Sequence, residues 1–299
     1  TCEQKILKTF SIGLKDSEDL KYAKIVANHL KTDHHEIIVS NEDFFNAIPE
    51  VIYNIESYDT TTVRASVGNY LIGKYIKENS DCKVIFNGDG ADELMGGYLY
   101  FKKSPNAYEF DKECKRLLQD IHMYDVLRSD RCISNHGLEP RTPFLDRKWV
   151  EFYLTIDKHL RYNTTIEKCE KYLIRQSFDC LMPNLLPKEI LWRTKEAFSD
   201  GVSSLKKSWF SIIQDNIENN DKFKENIKHI IDCYTKLKLS NNIPDSNEKA
   251  YYRYLFNKNY IFCDHLISYY WMPKYVDAKD ASARTLDFYD ENNSNKLSK

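Results

Sequence analysis

The first hundred residues alternate apolar strand-like runs with amphipathic helical runs, and this alternation constrains the fold more than any other feature. Three runs are predicted as strands, Ile6 to Leu14, His35 to Val39 and Cys82 to Phe86. Helical periodicity is predicted between them, at Asp16 to Lys31, from a Ser40 cap to Ile55 and at Thr62 to Lys77. Strands separated by helices pair in parallel through right-handed crossovers. The sequence therefore predicts an α/β fold with a parallel sheet.

The chain after Lys103 shows a different pattern, in which long amphipathic helices replace the alternation. Helical periodicity is predicted at Phe110 to Asp130, Glu167 to Cys180, Val202 to Asn219 and Tyr251 to Asn257. No strand-like alternation of any length is predicted in this part. We therefore expect one domain with two portions, an α/β portion at residues 1–103 and a mainly helical portion at residues 104–299.

The charge and hydropathy of the chain argue against two classes of partner. The formal net charge is -2 and the short lysine runs lie among acidic residues, whereas nucleic-acid binding requires clustered cations. The sequence contains no apolar run that predicts a transmembrane helix or a signal peptide. The eight cysteines form no C-x-x-C pair, which is typical of small apolar side chains in a reducing compartment. We therefore expect a cytoplasmic protein that binds neither nucleic acid nor membranes.

The strongest candidate for a functional site is the segment NGDGADE at residues 87–93, which follows an apolar strand directly. Ligands of open α/β sheets bind beyond the carboxyl ends of the strands. Glycines let the backbone approach a ligand, and free N–H groups there can hold anions. The three carboxylates repel one another unless a cation or an amine lies between them. Chemistry alone leaves two interpretations open, an ATP–Mg or amine-binding loop and a glycine-rich turn with solvated acids.

Several motifs carry a resemblance to a known family, and they follow one another in its order. They are GDGADEL at 88–94 with GGY at 96–98, MYD-x-x-R-x-D-R at 123–131, HGLEPRTPFLD at 136–146 and KEAFSDG at 195–201. The segments FSIGL at 10–14, ESYDTTTVRAS at 56–66 and YWMPK at 270–274 fit as well. The chain resembles the synthetase domain of class B, glutamine-hydrolysing asparagine synthetases over nearly its whole length.

The resemblance implies a fold, a reaction and its reactants. The implied fold is a parallel sheet of the ATP-pyrophosphatase type, followed by a mainly helical half. In the implied reaction ATP adenylates the side-chain carboxylate of aspartate and releases pyrophosphate, and ammonia converts the aspartyl-AMP to asparagine and AMP. ATP and Mg²⁺ are the implied cofactors. Aspartate is the implied substrate, with ammonia supplied from glutamine by a glutaminase domain outside this chain. Members of the family often form homodimers.

The family's functional residues map onto distant segments of the chain. The resemblance implies nucleotide-binding positions at Ile12 near the adenine, Asn87 and Gly88 near the α-phosphate, and Asp92. It implies catalytic positions at Asp89, which assists the ammonia step, Asp125, and Lys195, which offsets charge on the leaving phosphates. Asp92 and Asp125 are also the implied metal-binding acids. The implied substrate-binding positions are Glu93 and Arg141 on the cleft wall and Arg64 as a holder of carboxylate or phosphate.

Spacing alone favours structural roles for several of these residues. Asp125 precedes Arg128 by three positions and could form a helical ion pair. Lys195 and Glu196 could be a surface pair, and Arg141 could only tie down a turn. The run 128–131 resembles a solvated or cleft-edge helix face. His34 and His35 are adjacent on a predicted strand, so they are expected to point to opposite faces rather than share a metal.

The chain also departs from the family pattern. It opens Thr1-Cys2 without Met, so Cys2 is not expected to be the family's glutaminase nucleophile. The family's Ser-Gly-Gly-x-Asp-Ser pyrophosphate loop is absent, because no SGG occurs in the chain. We expect that loop just before residue 1, which makes residues 1–103 a truncated nucleotide-binding portion. Smaller departures are Asn87, where Ser is usual, and Asp89, one methylene shorter than the usual Glu.

Three functions remain open at this point. The first is asparagine synthesis by the synthetase domain, with this chain inactive alone because it lacks the pyrophosphate loop. The second is a related ATP-dependent amidotransferase or cyclising synthetase that acts on another carboxylate. The third is a non-catalytic remnant that acts as an interaction module.

Overall fold

The computed structural model describes residues 6–162, 169–194, 198–203, 208–219, 223–225, 227–228, 230–232 and 241–286. Its strands are β1 (Lys8–Leu14), β2 (Asp33–Val39), β3 (Val84–Phe86) and β4 (Glu139–Arg141). β1 pairs with β2 and β3 pairs with β4, and both pairs are parallel. The prediction of an α/β fold with parallel strands and a mainly helical remainder is confirmed.

The helices lie between and after these strands. Those up to residue 133 are α1 (Glu18–Leu30), α2 (Asn41–Asn46), α3 (Ile48–Ile55), α4 (Thr60–Asn79), α5 (Ala91–Met95), α6 (Ala107–Asp120), α7 (Asp125–Leu127) and a π-helical segment (Arg128–Ile133). The later ones are α8 (Arg147–Thr155), α9 (Lys158–Arg161), α10 (Tyr172–Leu181), α11 (Lys188–Leu191), α12 (Phe198–Gly201), α13 (Trp209–Glu218) and α14 (Asn247–Asn259).

The helix starts follow from local side-chain chemistry. Ser40 and Asp43 form a reciprocal capping box at the start of α2, as the sequence predicts. The predicted single helix from Ser40 to Ile55 is divided in two, because Pro49 lies in the first turn of a new helix, α3. Proline fits there, since the first helical N–H groups have no partner within the helix. Asp59 caps α4 by accepting from the backbone N–H of Thr62.

Two predictions for the second part of the chain are wrong. The single helix predicted from Phe110 to Asp130 ends at Asp120, and the chain breaks again at Tyr124, whose φ of -130° and ψ of -98° are not helical. A strand, β4, exists where none was predicted. It has only three residues, one of them Pro140, so it has no alternation to detect and forms by pairing with β3.

The core joins the strands to the helical portion. The largest cluster of buried apolar side chains packs Ile12 of β1 with α3, α4, α13 and α14, including the fully buried Trp209. A second cluster brings Trp271 from the end of the described chain against Tyr100 and Phe110. Both clusters cross the predicted boundary at Lys103, which stays a prediction. Within the described residues, no helix is long and apolar enough to cross a membrane.

Candidate active site

The backbone after β3 forms the floor of the candidate site. β4 lies parallel beside β3, and the backbone N–H of Asn87 donates to the carbonyl of Arg141 at 3.1 Å. The chain then turns into α5 at Gly90, whose φ of 88° lies in the left-handed region that favours glycine. Gly97 closes the turn after α5, where an added Cβ would lie 2.0 Å from Oδ1 of Asp92. Both glycines are therefore required by the local geometry.

Arg128 forms ion pairs with acids of two separate segments, the loop after β3 and α7. Its guanidinium donates to Oδ1 of Asp89 at 2.9 and 2.8 Å and to Oδ1 of Asp125 at 2.5 Å. The hydroxyl of Ser129 donates to the other oxygen of Asp89, and the amide of Asn87 donates to Ser129 at 2.5 Å. The ion pair between Asp125 and Arg128 that spacing favours is present, and the same arginine also holds the loop after β3.

Asp92 and Glu93 complete the acidic cluster from the first turn of α5. Nζ of Lys171 lies 2.7 Å from Oδ1 of Asp92. The hydroxyl of Tyr98 donates to Oε1 of Glu93. Oε2 of Glu93 is buried and has no hydrogen-bond partner among the described residues. Glu93 feels the charges of both Asp92 and Asp125, so acids from α5 and α7 lie in one electrostatic environment.

The electrostatics of this cluster favour a protonated Glu93. Burial, reinforced by the charges of Asp125 and Asp92, raises the pKa of Glu93 well above its ordinary value. Burial would lower the pKa of Arg128, but Asp89 and Asp125 outweigh it and raise that pKa well above its usual range. Within the part of the chain that the structure describes, four carboxyl groups lie beside two cations, Arg128 and Lys171. A neutral Glu93 reduces this excess of negative charge.

The chain leaves helical geometry at Tyr124, and the short segment that follows supplies several side chains to the acidic cluster. The chain restarts as α7 at Asp125 and continues as the π-helical segment. Asp125 and Ser129 are 7% and 2% exposed and both pair within the cluster. Asp130 points outward instead, with 65% of its side chain exposed. π-helical insertions often occur at functional sites, and here Arg128 and Ser129 of the segment contact the cluster while Asp130 is exposed.

The structure brings together most of the site residues that the sequence predicts. Asn87, Asp89, Asp92, Glu93 and Asp125 converge at the end of β3. Their roles in binding and catalysis stay predictions.

Three other predicted site residues have different surroundings. A Cβ at Gly88 would meet nothing within 4 Å, so this loop backbone is open on one side. Ile12 is 2% exposed and packs in the core. Arg141 lies beside the loop through its backbone, but its guanidinium pairs with Glu139 at 2.7 Å and its side chain is 56% exposed. Lys195 lies outside the described residues.

Arg64 is held in a buried ion-pair network. Its guanidinium donates to both oxygens of Glu248, at 2.8 and 2.6 Å, and to both oxygens of Asp280, at 2.7 and 2.9 Å. Arg64 is 3% exposed, and Gln214 also donates to Glu248 at 2.6 Å. The predicted role of Arg64 in holding a substrate finds no support in this geometry. The network instead joins α4 to α14 and to the segment around Asp280.

The described side chains do not form a metal site made only of protein ligands. Across the described ranges, no group of three or more His, Cys, Asp or Glu residues could hold a metal ion. His34 bonds Thr9 and Ser11, while His35 stacks on Phe10, so the two imidazoles point to opposite faces as predicted. Mg²⁺ usually binds one or two carboxylates together with substrate phosphates. The oxygen donors of Asp92 and Asp125 fit a site of that kind.

Sequence analysis missed four residues of the cluster. The prediction of a solvated or cleft-edge helix face at 128–131 fits the exposed Asp130 and Arg131, whereas Arg128 and Ser129 pair within the cluster. Tyr98 and Lys171 were not singled out. The spacing of Asp125 and Arg128 was a usable signal for one of them. Lys171 gives none, because its partner Asp92 is 79 positions away.

The raised pKa of Glu93 predicts a pH-dependent stability. Between the pKa of an unfolded glutamate and the higher folded pKa, only the folded chain keeps the proton, so stability falls as pH rises. The slope is up to about 1.4 kcal/mol per pH unit. Glu93→Gln keeps the size of the side chain and its ability to form hydrogen bonds, but it removes the group that titrates. We therefore expect its urea-unfolding free energy to fall less than that of the wild type between pH 5 and pH 8.

Comparison with a surface variant isolates this effect. Glu139 has 60% of its side chain exposed, so Glu139→Gln is expected to follow the wild-type pH dependence. The groups that face Glu93 are Asp92, Asp125, Arg128 and Tyr98, and they are unchanged in both variants. Parallel pH profiles for Glu93→Gln and the wild type would contradict the protonated state of Glu93.

Comparison with known proteins identifies the family of this chain. The family model for asparagine synthase matches residues 1–111 and 102–229. Asparagine synthetase (glutamine-hydrolyzing) from Gallus gallus is 47% identical over 283 residues, which cover 95% of this chain and 49% of the relative. The proteins of that name from Mus musculus and Homo sapiens are 46% and 45% identical, with the same coverage of both chains. The chain thus spans about half the length of these curated relatives, and it belongs to the asparagine synthase family.

Proposed function

We propose that this chain forms the synthetase site that converts aspartate to asparagine with ATP, through aspartyl-AMP, and releases AMP and pyrophosphate. The observation that carries the proposal is the convergence of Asp89, Asp92, Glu93 and Asp125 with Arg128 at the end of β3. Family membership and the activity in the names of the relatives support it. Aspartate and ammonia derived from glutamine are the proposed reactants. The cytoplasmic location and the homodimer stay predictions.

In the first step, a side-chain oxygen of aspartate bonds to the α-phosphorus of ATP, and pyrophosphate leaves with the broken P–O bond. The proposed α-phosphate contacts are the amide of Asn87 and the backbone at Gly88, where no Cβ blocks an approach. Asp92 and Asp125 would hold Mg²⁺, which supplies neutralisation of phosphate charge when bound. Lys195 is the proposed cation that offsets charge on the departing pyrophosphate.

In the second step, the nitrogen of ammonia bonds to the acyl carbon, and the C–O bond to AMP breaks. The attacking nitrogen gains a positive charge and must release one proton. Asp89 is the proposed acceptor, because its carboxylate is oriented by Arg128 on one oxygen and by Ser129 on the other. Glu93 is buried beside this point, and in its protonated form it adds no further negative charge to the site.

Product analysis tests this proposal in the natural polypeptide that carries this chain. With ATP, Mg²⁺, aspartate and ammonium salts, we expect asparagine, AMP and pyrophosphate in equal amounts. A panel of other carboxylic acids, including glutamate and β-amino acids, should give far less AMP. Release of ADP and phosphate, or equal turnover of another acid, would contradict the proposal. Absence of turnover with every acid would favour a non-catalytic interaction module.

We also propose that the 299-residue chain by itself does not turn over ATP at a useful rate. Its sequence lacks the SGG-x-DS loop, which the family resemblance implies binds the triphosphate of ATP. An assay of pyrophosphate release with ATP, Mg²⁺ and aspartate tests this. Robust release by the isolated chain would contradict it.

A further inference from the structure

Two ion pairs join the segment around residue 170 to the segment that carries α5. Nζ of Lys171 lies 2.7 Å from Asp92, and Nζ of Lys102 lies 2.9 Å from Glu170. The adjacent residues Glu170 and Lys171 therefore carry opposite charges, and each pairs with a residue of the other segment. The arrangement connects the helical portion to the acidic cluster.

The two pairs differ in how accessible they are. Lys102 and Glu170 have side chains that are 9% and 2% exposed, as expected of a permanent structural pair. Lys171 and Asp92 retain 19% and 15% exposure, so water reaches this pair. Lys171 also has φ 57° and ψ 32°, a left-handed conformation that costs free energy in residues other than glycine. Strain of this kind often accompanies a functional position.

The charge that Lys171 provides at Asp92 conflicts with a divalent cation at the same carboxylate. Asp89 and Asp125 share Arg128, whereas Asp92 contacts a different cation, Lys171, among the described residues. A cation bound at Oδ1 of Asp92 would meet an ammonium group already 2.7 Å from that oxygen. Two positive groups so close repel strongly. The flexible four-carbon stem of lysine allows Nζ to move away.

We propose that Lys171 is an internal counter-ion of Asp92, which occupies this carboxylate without nucleotide and competes with the divalent cation of the nucleotide complex. This inference rests on the proposed function, because it takes Asp92 as a metal-binding acid. Lys171 is a positioning residue in this account, since it acts on the nucleotide complex through Asp92.

The direct test is the Mg²⁺ concentration that half-saturates binding of α,β-methylene-ATP, a nucleotide that cannot be cleaved at the α-phosphate. Calorimetry on the natural polypeptide that carries this chain gives this concentration at saturating nucleotide. Lys171→Met removes the competing charge, so half-saturation is expected at about two- to fivefold lower Mg²⁺, the effect of a partly exposed ion pair. In Lys171→Arg the guanidinium can donate two N–H groups to Asp92. The stronger ion pair competes better with the cation, so half-saturation is expected at higher Mg²⁺.

A control variant and the opposite shifts in Mg²⁺ requirement expected for the two Lys171 variants make the test decisive. Lys115 also pairs with an aspartate, Asp111, at 2.7 Å, but on the surface of α6, so Lys115→Met is expected to match the wild type. Lys171→Arg keeps the ion pair and the fold, which makes its shift informative even where Lys171→Met fails to fold. An unchanged or lowered Mg²⁺ requirement in Lys171→Arg, or an unchanged or raised one in folded Lys171→Met, would overturn the inference. Failure of the wild type to bind the nucleotide would instead overturn the proposed function.

Discussion

Replacement of Arg64 by methionine is expected to lower the free energy of unfolding by about 3–5 kcal/mol. The physical reason is that Glu248 and Asp280 would lose the guanidinium that both of them contact. Glu248 has 1% of its side chain exposed, so water cannot replace the lost partner. Urea unfolding followed by tryptophan fluorescence measures this loss, because Trp209 is fully buried in the largest core cluster.

A surface arginine provides the matched control. Arg131 pairs with Glu56 at 2.9 Å, but both side chains are more than a third exposed. Arg131→Met should therefore change the unfolding free energy by about 1 kcal/mol or less. An equally small effect of Arg64→Met would show that the buried network does not stabilise the fold. Loss of substrate affinity without loss of stability would support the predicted role of Arg64 in substrate binding.

Replacement of Asp89 by asparagine is expected to slow asparagine formation by about 10²- to 10⁴-fold, the usual contribution of a general base. Asparagine keeps the size of the side chain but cannot accept the proton that the attacking ammonia releases. Adenylation precedes that proton transfer, so aspartate-dependent exchange of pyrophosphate into ATP is expected to persist. Separate assays of exchange and of asparagine formation, on the natural polypeptide that carries this chain, check this division.

Two further variants define the role of Asp89. Asp89→Glu restores the longer acid that the family resemblance makes usual here, and we expect it to retain activity. Asp130→Asn changes an aspartate of the adjacent π-helical segment that points outward, and it should leave both assays unchanged. Equal loss of exchange and of asparagine formation in Asp89→Asn would assign Asp89 to nucleotide binding. Asparagine formation within about tenfold of the wild type would remove it from proton transfer.

Local features of the sequence were sufficient to locate the floor of the site. The apolar run before Asn87 and the glycines after it predict a strand followed by a turn, and both are present. The capping box at Ser40 is equally local and is also present. The predicted ends of the elements differ by a few residues from those observed, because helix ends depend on which backbone groups find partners.

Long-range contacts account for what the sequence did not predict. Arg64 contacts Glu248 and Asp280, which are 184 and 216 positions away. No periodicity indicates partners at that separation. β4 exists only because Glu139–Arg141 lies beside β3. Asp125 entered the predicted site through resemblance, whereas spacing favoured an ion pair with Arg128. The structure contains that pair within the cluster, so the ion pair is confirmed, and the role of Asp125 in a functional site stays a prediction.

The most direct test of the proposed reaction follows an oxygen atom. Aspartate labelled with ¹⁸O in its side-chain carboxylate is supplied to the natural polypeptide that carries this chain, with ATP, Mg²⁺ and ammonium, and the products are analysed by mass spectrometry. An aspartyl-AMP intermediate requires one labelled oxygen to leave with the phosphorus, so we predict AMP that carries a single ¹⁸O and pyrophosphate that carries none. Asparagine formed together with unlabelled AMP, or label found in inorganic phosphate, would contradict the account.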